Sequence, residues 1–387
     1  MKKAVVLGGG FAGVEAAIDL KRGGFDVTLV SNRPYLYIYP TSIWIPTRET
    51  TFEKTCINLD EISLAHGFEV KVDAVQRIEA KKNVVYLESG EISYDYLVVA
   101  IGAHKMKHEG VENTLSICGE PEMSLEIRDR LDELMEKGSG KLAFGFGGNP
   151  KDKAGVRGGP GFELLFNVHN LLKKRGIRDN FELTFFAPME KPGARMGEKS
   201  LQMMDKMFAS LKIEKHFGKK IKRFEKERVV FEDDTALESD MIMFIPASAG
   251  HSVLKESDLP LSESGFIKID PTCKVDGFDN VYAAGDVASI DGPDWKAKQG
   301  HIAEVMAHNC ASNIIATEKG EEKRESYMEH LNILCVMDTG DGAAFVYRDD
   351  NKAFMIPMPF VGHWLKKAWG VYTRWTKLGK FPKLPGL

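Results

Sequence analysis

The chain has 387 residues, of which 43% are hydrophobic and 28% charged, so it has the composition of a globular protein large enough for about two domains. Its formal net charge of -4 and its five cysteines favour neither a nucleic-acid-binding protein nor a disulfide-stabilised secreted domain. Because it contains no apolar stretch of about 18 residues and no signal peptide, we expect an intracellular protein, either soluble or attached to the cytoplasmic face of a membrane.

The first forty residues have the pattern of a strand, a glycine-rich turn, a helix and a second strand. Residues 4–7 form a short apolar run, residues 8–13 match G-x-G-x-x-G, and residues 26–30 form the second apolar run. This order is typical of a dinucleotide-binding βαβ unit, in which the backbone and the helix N-terminus approach a pyrophosphate. The residues that we expect to contact the cofactor here are Gly8, Gly10, Phe11, Ala12 and Gly13.

The second strand ends without the acidic residue that usually binds a ribose hydroxyl. Ser31 and Asn32 stand at this position instead. Both side chains can hydrogen-bond a ribose, although more weakly than a carboxylate does. Ser31 and Asn32 are therefore kept among the predicted cofactor-binding residues.

Two later segments complete the pattern of a flavin-binding domain. Residues 94–103 and 280–288 each have the pattern of a buried strand followed by a turn of small residues, and the second turn contains Asp286. Together with the N-terminal glycines, they resemble the three conserved segments of flavoproteins with two dinucleotide-binding domains. This resemblance implies that FAD is the cofactor and that Asp286 holds its ribityl chain. The other cofactor-binding residues that we expect in these turns are Ala100, Ile101, Gly102 and Gly285.

A helix is predicted from about His301 to Thr317, directly after a polar loop. In the same superfamily this helix directs its N-terminus at the pyrimidine edge of the flavin, where negative charge collects on reduction. Gly300 and His301 therefore belong to the predicted cofactor site, and Lys298 is placed to add a second positive charge. A solvated loop lysine is the alternative interpretation of Lys298.

Residues 120–250 repeat the βαβ pattern but do not resemble an NADH site. A strand at 141–148 ends in glycines, and the next helix begins only at Gly158, because residues 149–157 form an insertion. This insertion separates the glycine turn from the helix N-terminus, so that one pyrophosphate can hardly contact both. The next strand ends in Ala187-Pro188, which offers neither an acid for NAD nor an arginine for NADP. We predict a dinucleotide-type fold without its dinucleotide.

The five cysteines contain no C-x-x-C or C-x-x-x-x-C dithiol. Cys310 lies within the predicted flavin-edge helix and is most simply a small buried residue. Cys273 and Cys56 have no recognisable partner. Cys118 follows the first half of the flavin domain, and Cys335 follows the flavin-edge helix.

With these two cysteines the chain resembles the sulfide:quinone oxidoreductase and flavocytochrome c sulfide dehydrogenase family. The resemblance covers nearly the whole chain and includes the aromatic segment 37–44 with Ser42, the segment 159–163, the segment 298–304 and the loop around Cys335. It implies that Ser42 lies near the flavin, and that Cys335 lies beside the ring and attacks or carries sulfide sulfur. The cysteine matching Cys118 takes part in some members only.

The chain also departs from this family. The place of a further redox cysteine is taken by Arg157 and Gly158, and a histidine is replaced by Glu122. Cys335 is therefore expected to work alone or to pair with Cys118, and an inert buried thiol is the alternative for each. Since a free cysteine titrates near ~8.5, a reactive thiolate needs help, which a flavin-edge dipole or Lys298 can supply.

The C-terminal tail from Phe360 holds three of the five tryptophans and six basic side chains, without an acidic one. A pattern of this kind is typical of an amphipathic helix in the headgroup region, with its cations directed toward anionic lipid. A tail packed on the core or against a second copy is the alternative. Residues 344–346 and 354–359 are candidates for the lining of a quinone pocket, or else a core strand pair. The apolar face of the helix follows from spacings of three and four between Trp364, Leu365, Ala368, Tyr372 and Trp375.

The sequence thus predicts an α/β protein with two Rossmann-like domains and a small C-terminal membrane-associated subdomain. The FAD-binding domain is discontinuous, at 1–115 and 251–330, the second domain covers 116–250, and the C-terminal subdomain covers 331–387. The resemblance implies oxidation of sulfide or a related reduced sulfur species, with two electrons passing through FAD to a membrane quinone. The alternatives are a type II NADH:quinone dehydrogenase and a non-catalytic flavin-bearing adaptor. We predict no metal site and no nucleic-acid partner, and a homo-oligomer is left open.

Overall fold

The computed structural model describes residues 1–383, so the last four residues of the predicted tail lie outside the described part. The first third of the chain contains β1 (Lys3–Leu7), α1 (Phe11–Arg22), β2 (Asp26–Ser31), β3 (Tyr35–Tyr37), α2 (Tyr39–Ser42), α3 (Phe52–Thr55), β4 (Cys56–Asn58), α4 (Leu59–His66), β5 (Glu69–Val72), β6 (Val75–Glu79), β7 (Val84–Leu87), β8 (Gly90–Ser93), β9 (Tyr96–Val99) and β10 (His104–Lys105). The middle contains α5 (Met123–Lys137), β11 (Gly140–Phe146), α6 (Gly159–Lys174), β12 (Phe181–Ala187), α7 (Glu198–Ser210), β13 (Ile213–Phe217), β14 (Ile221–Glu225), β15 (Arg228–Phe231), β16 (Ala236–Glu238), β17 (Met241–Ile245) and β18 (Ser248–Ala249). The last third contains β19 (Ile267–Lys268), β20 (Val281–Ala283), β21 (Ala288–Ser289), α8 (Gly300–Glu318), β22 (Ile333–Asp338), β23 (Gly342–Arg348), β24 (Ala353–Pro359) and α9 (Val361–Lys377).

The first domain is built on a parallel sheet with the strand order β20-β9-β1-β2-β5. The strands β1, β9 and β20 are short apolar runs that are buried almost completely, as expected for a sheet covered on both faces. Helices α1 and α8 pack against each other on this sheet. Because β20 joins the sheet only after the second domain, the discontinuous Rossmann-like fold is confirmed.

The second domain has a parallel sheet with the strand order β13-β12-β11-β17. Its core is rich in phenylalanine, and the ring of Phe162 on α6 stacks on Phe185 of β12 with 4.3 Å between the centroids. The inserted residues 149–157 form a loop with one 3-10 turn, and α6 begins at Gly159, one residue after the predicted start at Gly158. The residue limits of the domains stay predictions.

The C-terminal subdomain consists of the antiparallel sheet β22-β23-β24 and the helix α9. The segments 344–346 and 354–359 face each other as paired strands, with Phe345 opposite Ile356. The strand pair is therefore confirmed, and their contribution to a quinone pocket stays a prediction. No helix within residues 1–383 combines the length and the apolar content needed to cross a bilayer.

Candidate active site

Three segments that are distant in sequence meet at one edge of the first sheet. Because β1, β9 and β20 are parallel neighbours, their carboxyl ends lie side by side. Gly8 has a φ of +111°, and a Cβ there would lie 2.2 Å from the carbonyl oxygen of Ala100. A Cβ on Gly285 would lie 3.3 Å from the Cβ of Ala12. The fold thus brings together the three turns that the sequence predicts to hold the cofactor.

The glycines of the first turn have different surroundings. A Cβ on Gly13 would lie 1.7 Å from the carbonyl oxygen of Gly8, so this position must remain glycine for the helix to pack on the strand. In the part of the chain that the structure describes, a Cβ on Gly10 meets no atom within 4 Å, and no side chain caps the N–H groups at the start of α1. Open space beside uncapped N–H groups is what a pyrophosphate requires.

Two predicted cofactor-binding hydroxyls are occupied by local hydrogen bonds. The Oγ of Ser31 donates to the carbonyl of Arg33 at 2.7 Å and accepts from the N–H of Arg33 at 3.2 Å. The Oγ of Ser42 donates to the carbonyl of Tyr39 at 2.8 Å. Asn32, by contrast, is exposed at the end of β2. Binding of the cofactor by Ser31, Asn32 and Ser42 stays a prediction.

Asp286 is surrounded by two cations at the end of β20. Its carboxylate forms an ion pair with Arg157, and the Nζ of Lys298 donates to its carbonyl oxygen at 2.9 Å. Although burial acts in the opposite direction, Arg157 and Lys298 hold the pKa of Asp286 below its usual value. Arg157 is a site residue that the sequence analysis missed. The signal was present, since Arg157 stands where the resembled family has a redox cysteine.

Lys298 is a buried residue and not a solvated loop lysine. Its side chain is 6% exposed and its Nζ lies 3.0 Å from the ring centroid of Phe266. Burial lowers the pKa of Lys298 to about 7, although Asp286 opposes the shift. An ammonium that loses its proton near neutral pH, beside the residue predicted to hold the ribityl chain, suits a group that responds to charge on a cofactor.

The beginning of α8 fits the edge of a flavin. Gln299 is the N-cap residue, and its buried Oε1 has no hydrogen-bond partner among residues 1–383. It lines a small cavity together with Gly285, Asp286 and Lys298, while Gly300 and His301 open the helix. An unpartnered buried amide oxygen is costly unless a ligand donates to it. With the open turn at Gly10, these residues fit FAD.

Cys335 lies next to a buried ion pair. Its Sγ is 3.8 Å from the Oε1 of Glu163, whose second oxygen is paired with Lys366. Burial and Glu163 raise the pKa of Cys335 to about 12, and Lys366 opposes them. The expectation that Lys298 assists this thiol was therefore wrong, because Lys298 faces Asp286, while Lys366 is the cation beside Cys335.

Cys118 is buried near Lys105 and Arg157. Burial raises the pKa of Cys118, while Lys105 and Arg157 act in the opposite direction. Within the described residues all five cysteines are free, so Cys118 and Cys335 are not joined in a disulfide. Cys273, for which the sequence shows no partner, is buried, and burial together with the neighbouring Cys310 thiol raises its pKa.

The C-terminal helix α9 is amphipathic, but its charges face inward. Lys377 is 3% exposed and is paired with both Glu15 and Glu304. The expectation that the tail cations point toward lipid was therefore wrong for Lys366 and Lys377, which pair with carboxylates on the protein side. Lys380 is exposed, and its contact with lipid stays a prediction. Outward-facing residues of α9 are apolar at every exposed position, namely Val361, Trp364, Leu365, Ala368, Val371 and Trp375.

A second cluster of charged side chains joins the beginning of α9 to Asp338 and Glu49. The Nδ1 of His363 lies 2.7 Å from Asp338, and its Nε2 lies 3.0 Å from Glu49. Hydrogen bonds to these two carboxylates raise the pKa of His363 to about 9. Trp44 donates to Asp338 at 3.3 Å. The predicted aromatic segment 37–44 and α9 are thus joined through one carboxylate.

The chain matches known proteins over most of its length. The model of the pyridine nucleotide-disulphide oxidoreductase family matches residues 2–311. The sulfide-quinone reductase of Aquifex aeolicus is 27% identical over 97% of this chain and 90% of that protein. The crystal structure of the sulfide:quinone oxidoreductase from that bacterium has a TM-score of 0.88, with 25% identity, over 98% of this chain and 92% of that one. NDH2 from Plasmodium falciparum in complex with NADH has a TM-score of 0.78 at 12% identity, over 98% of this chain and 96% of that one, which shows the fold alone.

Proposed function

The chain belongs to the pyridine nucleotide-disulphide oxidoreductase family, and we propose that it is an FAD-dependent oxidoreductase that oxidises sulfide and passes two electrons to a membrane quinone. Similarity to sulfide-quinone reductase over nearly the full length supports this proposal. FAD, when bound, supplies a two-electron acceptor. A related reduced sulfur species is an equally suitable donor for the same chemistry.

The observation that carries the proposal is a reactive arrangement around a thiol. Cys335 lies 3.8 Å from Glu163, whose pKa is raised by burial to about 7, and Glu163 also influences the pKa of Cys118. A buried thiol beside a carboxylate that titrates near neutral pH suits a nucleophile that receives sulfur. Cys335 would bind the sulfur, and Cys118 would be a second thiol in the same region.

The chain's other residues would hold and tune the cofactor. The turn at Gly8 and Gly10 would bind the pyrophosphate, and Asp286 would bind the ribityl chain. Lys298 and the N-terminus of α8 would offset the negative charge of the reduced ring.

Anaerobic mixing of the oxidised protein with sulfide or with NADH tests this function directly. We expect sulfide to bleach the flavin absorbance rapidly and NADH to leave it unchanged, because the 149–157 insertion separates the glycine turn from α6. Cys335→Ser should retain FAD and lose the response to sulfide. Bleaching by NADH alone would instead support the type II NADH dehydrogenase, and no reduction by either donor would support the non-catalytic adaptor.

We also propose that α9 binds the surface of a membrane with its outward face. Trp364 is 69% exposed and Trp375 49%, and the apolar face continues into Phe360 and Ile356. An exposed apolar surface of this kind with tryptophans is typical of interfacial segments. The adjacent strands β23 and β24 would then offer a quinone a short route from the lipid to the site.

Outward-face substitutions test membrane binding better than a deletion, since removal of residues 360–387 would also remove the buried lysines. We expect Trp364→Ser with Trp375→Ser to lose co-sedimentation with vesicles of phosphatidylcholine and phosphatidylglycerol. Substitution of Leu64, an exposed apolar residue outside α9, to Ser is the matched control. Unchanged sedimentation of the double variant would refute membrane binding through α9.

A further inference from the structure

Three elements from distant parts of the chain meet at Cys335. Cys335 is on β22, Glu163 is on the buried face of α6, and Lys366 is on the inward face of α9. The Sγ of Cys335 lies 3.8 Å from one oxygen of Glu163, and the Nζ of Lys366 is paired with the other. The side chains of Glu163 and Lys366 are 6% and 7% exposed, so water screens their interaction very little.

The pKa values of Glu163 and Cys335 indicate which of the two groups accepts a proton and which donates it. Burial raises the pKa of Glu163 to about 7, Asp338 acts in the same direction, and Lys366 opposes both. Cys335 has a pKa near 12 and therefore does not ionise by itself at neutral pH. A base that titrates close to the working pH is the efficient partner for such a thiol.

We propose that Glu163 is the general base that takes the proton of Cys335, and that Lys366 is the positioning residue that keeps Glu163 ionised and turned toward the sulfur. The inference rests on the proposed function, because it gives a role to the thiol named there. In the step, the S–H bond of Cys335 breaks as an O–H bond forms on Glu163, and no electron changes hands. The thiolate that forms is then left close to the ammonium of Lys366.

This assignment makes α9 part of the sulfur site as well as the proposed membrane anchor. Lys366 points inward, whereas its neighbours Trp364 and Leu365 point outward. The two roles therefore lie on opposite faces of one helix and can be separated by substitution. Outward-face changes should affect vesicle binding, and Lys366 changes should affect the thiol.

The pH dependence of Cys335 alkylation tests the inference. FAD-loaded protein is treated with iodoacetamide between pH 5 and pH 10, and the modified Cys335 peptide is quantified by mass spectrometry. The wild-type rate should rise with a midpoint near pH 7, the pKa of Glu163. Lys366→Met should move the midpoint upward by at least about one pH unit, which is about a tenfold slower reaction at pH 7. Lys366→Arg should restore the wild-type profile.

Glu163→Gln provides a second variant that does not depend on the stability of Lys366→Met. Its profile should lose the inflection near pH 7, because the amide cannot accept the proton. Exposed Lys380→Met is the matched control and should keep the wild-type profile. A profile that is the same in wild type, Lys366→Met and Glu163→Gln would overturn the inference.

Alkylation needs neither sulfide nor quinone, so the two proposals can fail separately. If sulfide bleaches the flavin but alkylation ignores Glu163, the base assignment alone is wrong. If alkylation follows Glu163 but sulfide does not reduce the protein, the proposed function is wrong and the proton transfer stands.

Discussion

Removal of Lys377 should destabilise the protein strongly, although this residue lies in a basic tail. Its ammonium is 3% exposed and is paired with Glu15 of α1 and Glu304 of α8. These two helices begin at the proposed cofactor site, and Lys377 ties them to α9. Within the described residues, Lys377→Met would leave the buried Glu15 and the partly buried Glu304 paired with Lys383, which is 37% exposed.

The size of the effect follows from the pKa of Glu15. Burial alone would raise this pKa, but Lys377 and Lys383 lower it from 4.5 to about 2. A displacement of this size corresponds to about 3 kcal/mol of stability for Lys377 and Lys383 together. The loss of one partner of a buried pair costs a similar amount, because it leaves a buried charge without its partner. Because the folded pKa is depressed, this stability is present above pH 4.5 and is lost as the pH falls through 2.

Urea unfolding of the FAD-loaded protein, followed by circular dichroism, measures the change. We expect Lys377→Met to lower the free energy of unfolding at pH 7 by about 3 kcal/mol and to reduce the acid sensitivity of the wild type between pH 5 and pH 2. Lys380→Met, at an exposed position of the same segment, is the control. Equal unfolding midpoints for the wild type and Lys377→Met at pH 7 would refute the reasoning.

Three further outcomes follow from the site. Gly13→Ala should lower both protein stability and FAD affinity, because its Cβ would lie 1.7 Å from a carbonyl oxygen, whereas Gly10→Ala should weaken FAD binding only, since its Cβ meets no described protein atom within 4 Å. Thermal melts and FAD titration of the apoprotein separate the two effects. An equal loss of stability in the two variants would contradict this account. At pH values below 7, Lys298→Met should lower the midpoint potential of the flavin by about 30 mV, or about 1.4 kcal/mol for two electrons. The variant should also lose the inflection that the wild type shows near pH 7 in a plot of midpoint potential against pH, where Lys298 loses its charge. Potentiometric titration across that pH range would show whether the inflection persists. His363→Gln should lower the free energy of unfolding by about 3 kcal/mol at neutral pH, because the pKa of His363 is raised to about 9 in the folded protein. The stabilisation by protonated His363 is complete below the pKa of the unfolded chain and is lost as the pH rises through 9. Urea unfolding midpoints at pH 6 and pH 10 check this, and a wild type with the same midpoint at both would argue against it.

The local parts of the fold were predictable because they depend on residues that are close in sequence. The strand, glycine turn and helix at the N-terminus follow from apolar runs and from the glycines around Gly8. The late start of α6 at Gly159 follows from the 149–157 insertion. The meeting of Gly8, Ala100 and Gly285 was also predictable, since parallel neighbouring strands must end at the same edge of a sheet.

The surroundings of Cys118, Cys335 and Asp286 were not predictable from the sequence in the same way. The sequence analysis noted Arg157 only because it stands where the resembled family has a cysteine. In the structure it forms the ion pair with Asp286, which lies 129 residues away along the chain. Lys298 was predicted to lie at the flavin edge and was also considered as an aid to the thiol, and its contacts are with Asp286 and Phe266. Which cation meets which carboxylate depends on long-range packing, and no pattern along the chain records it.

The C-terminal helix α9 shows most clearly which features follow from the sequence and which depend on the tertiary structure. Spacings of three and four determined that α9 has an apolar face and a charged face, because helix periodicity is a property of the sequence itself. The direction of these faces was decided by the tertiary structure, where the buried Glu163 and Glu15 and the partly buried Glu304 have Lys366 and Lys377 as partners. Since an unpaired buried charge costs several kcal/mol, the charged face turns inward, and Trp364 and Trp375 are left outside while Trp369 packs against the core of the first domain.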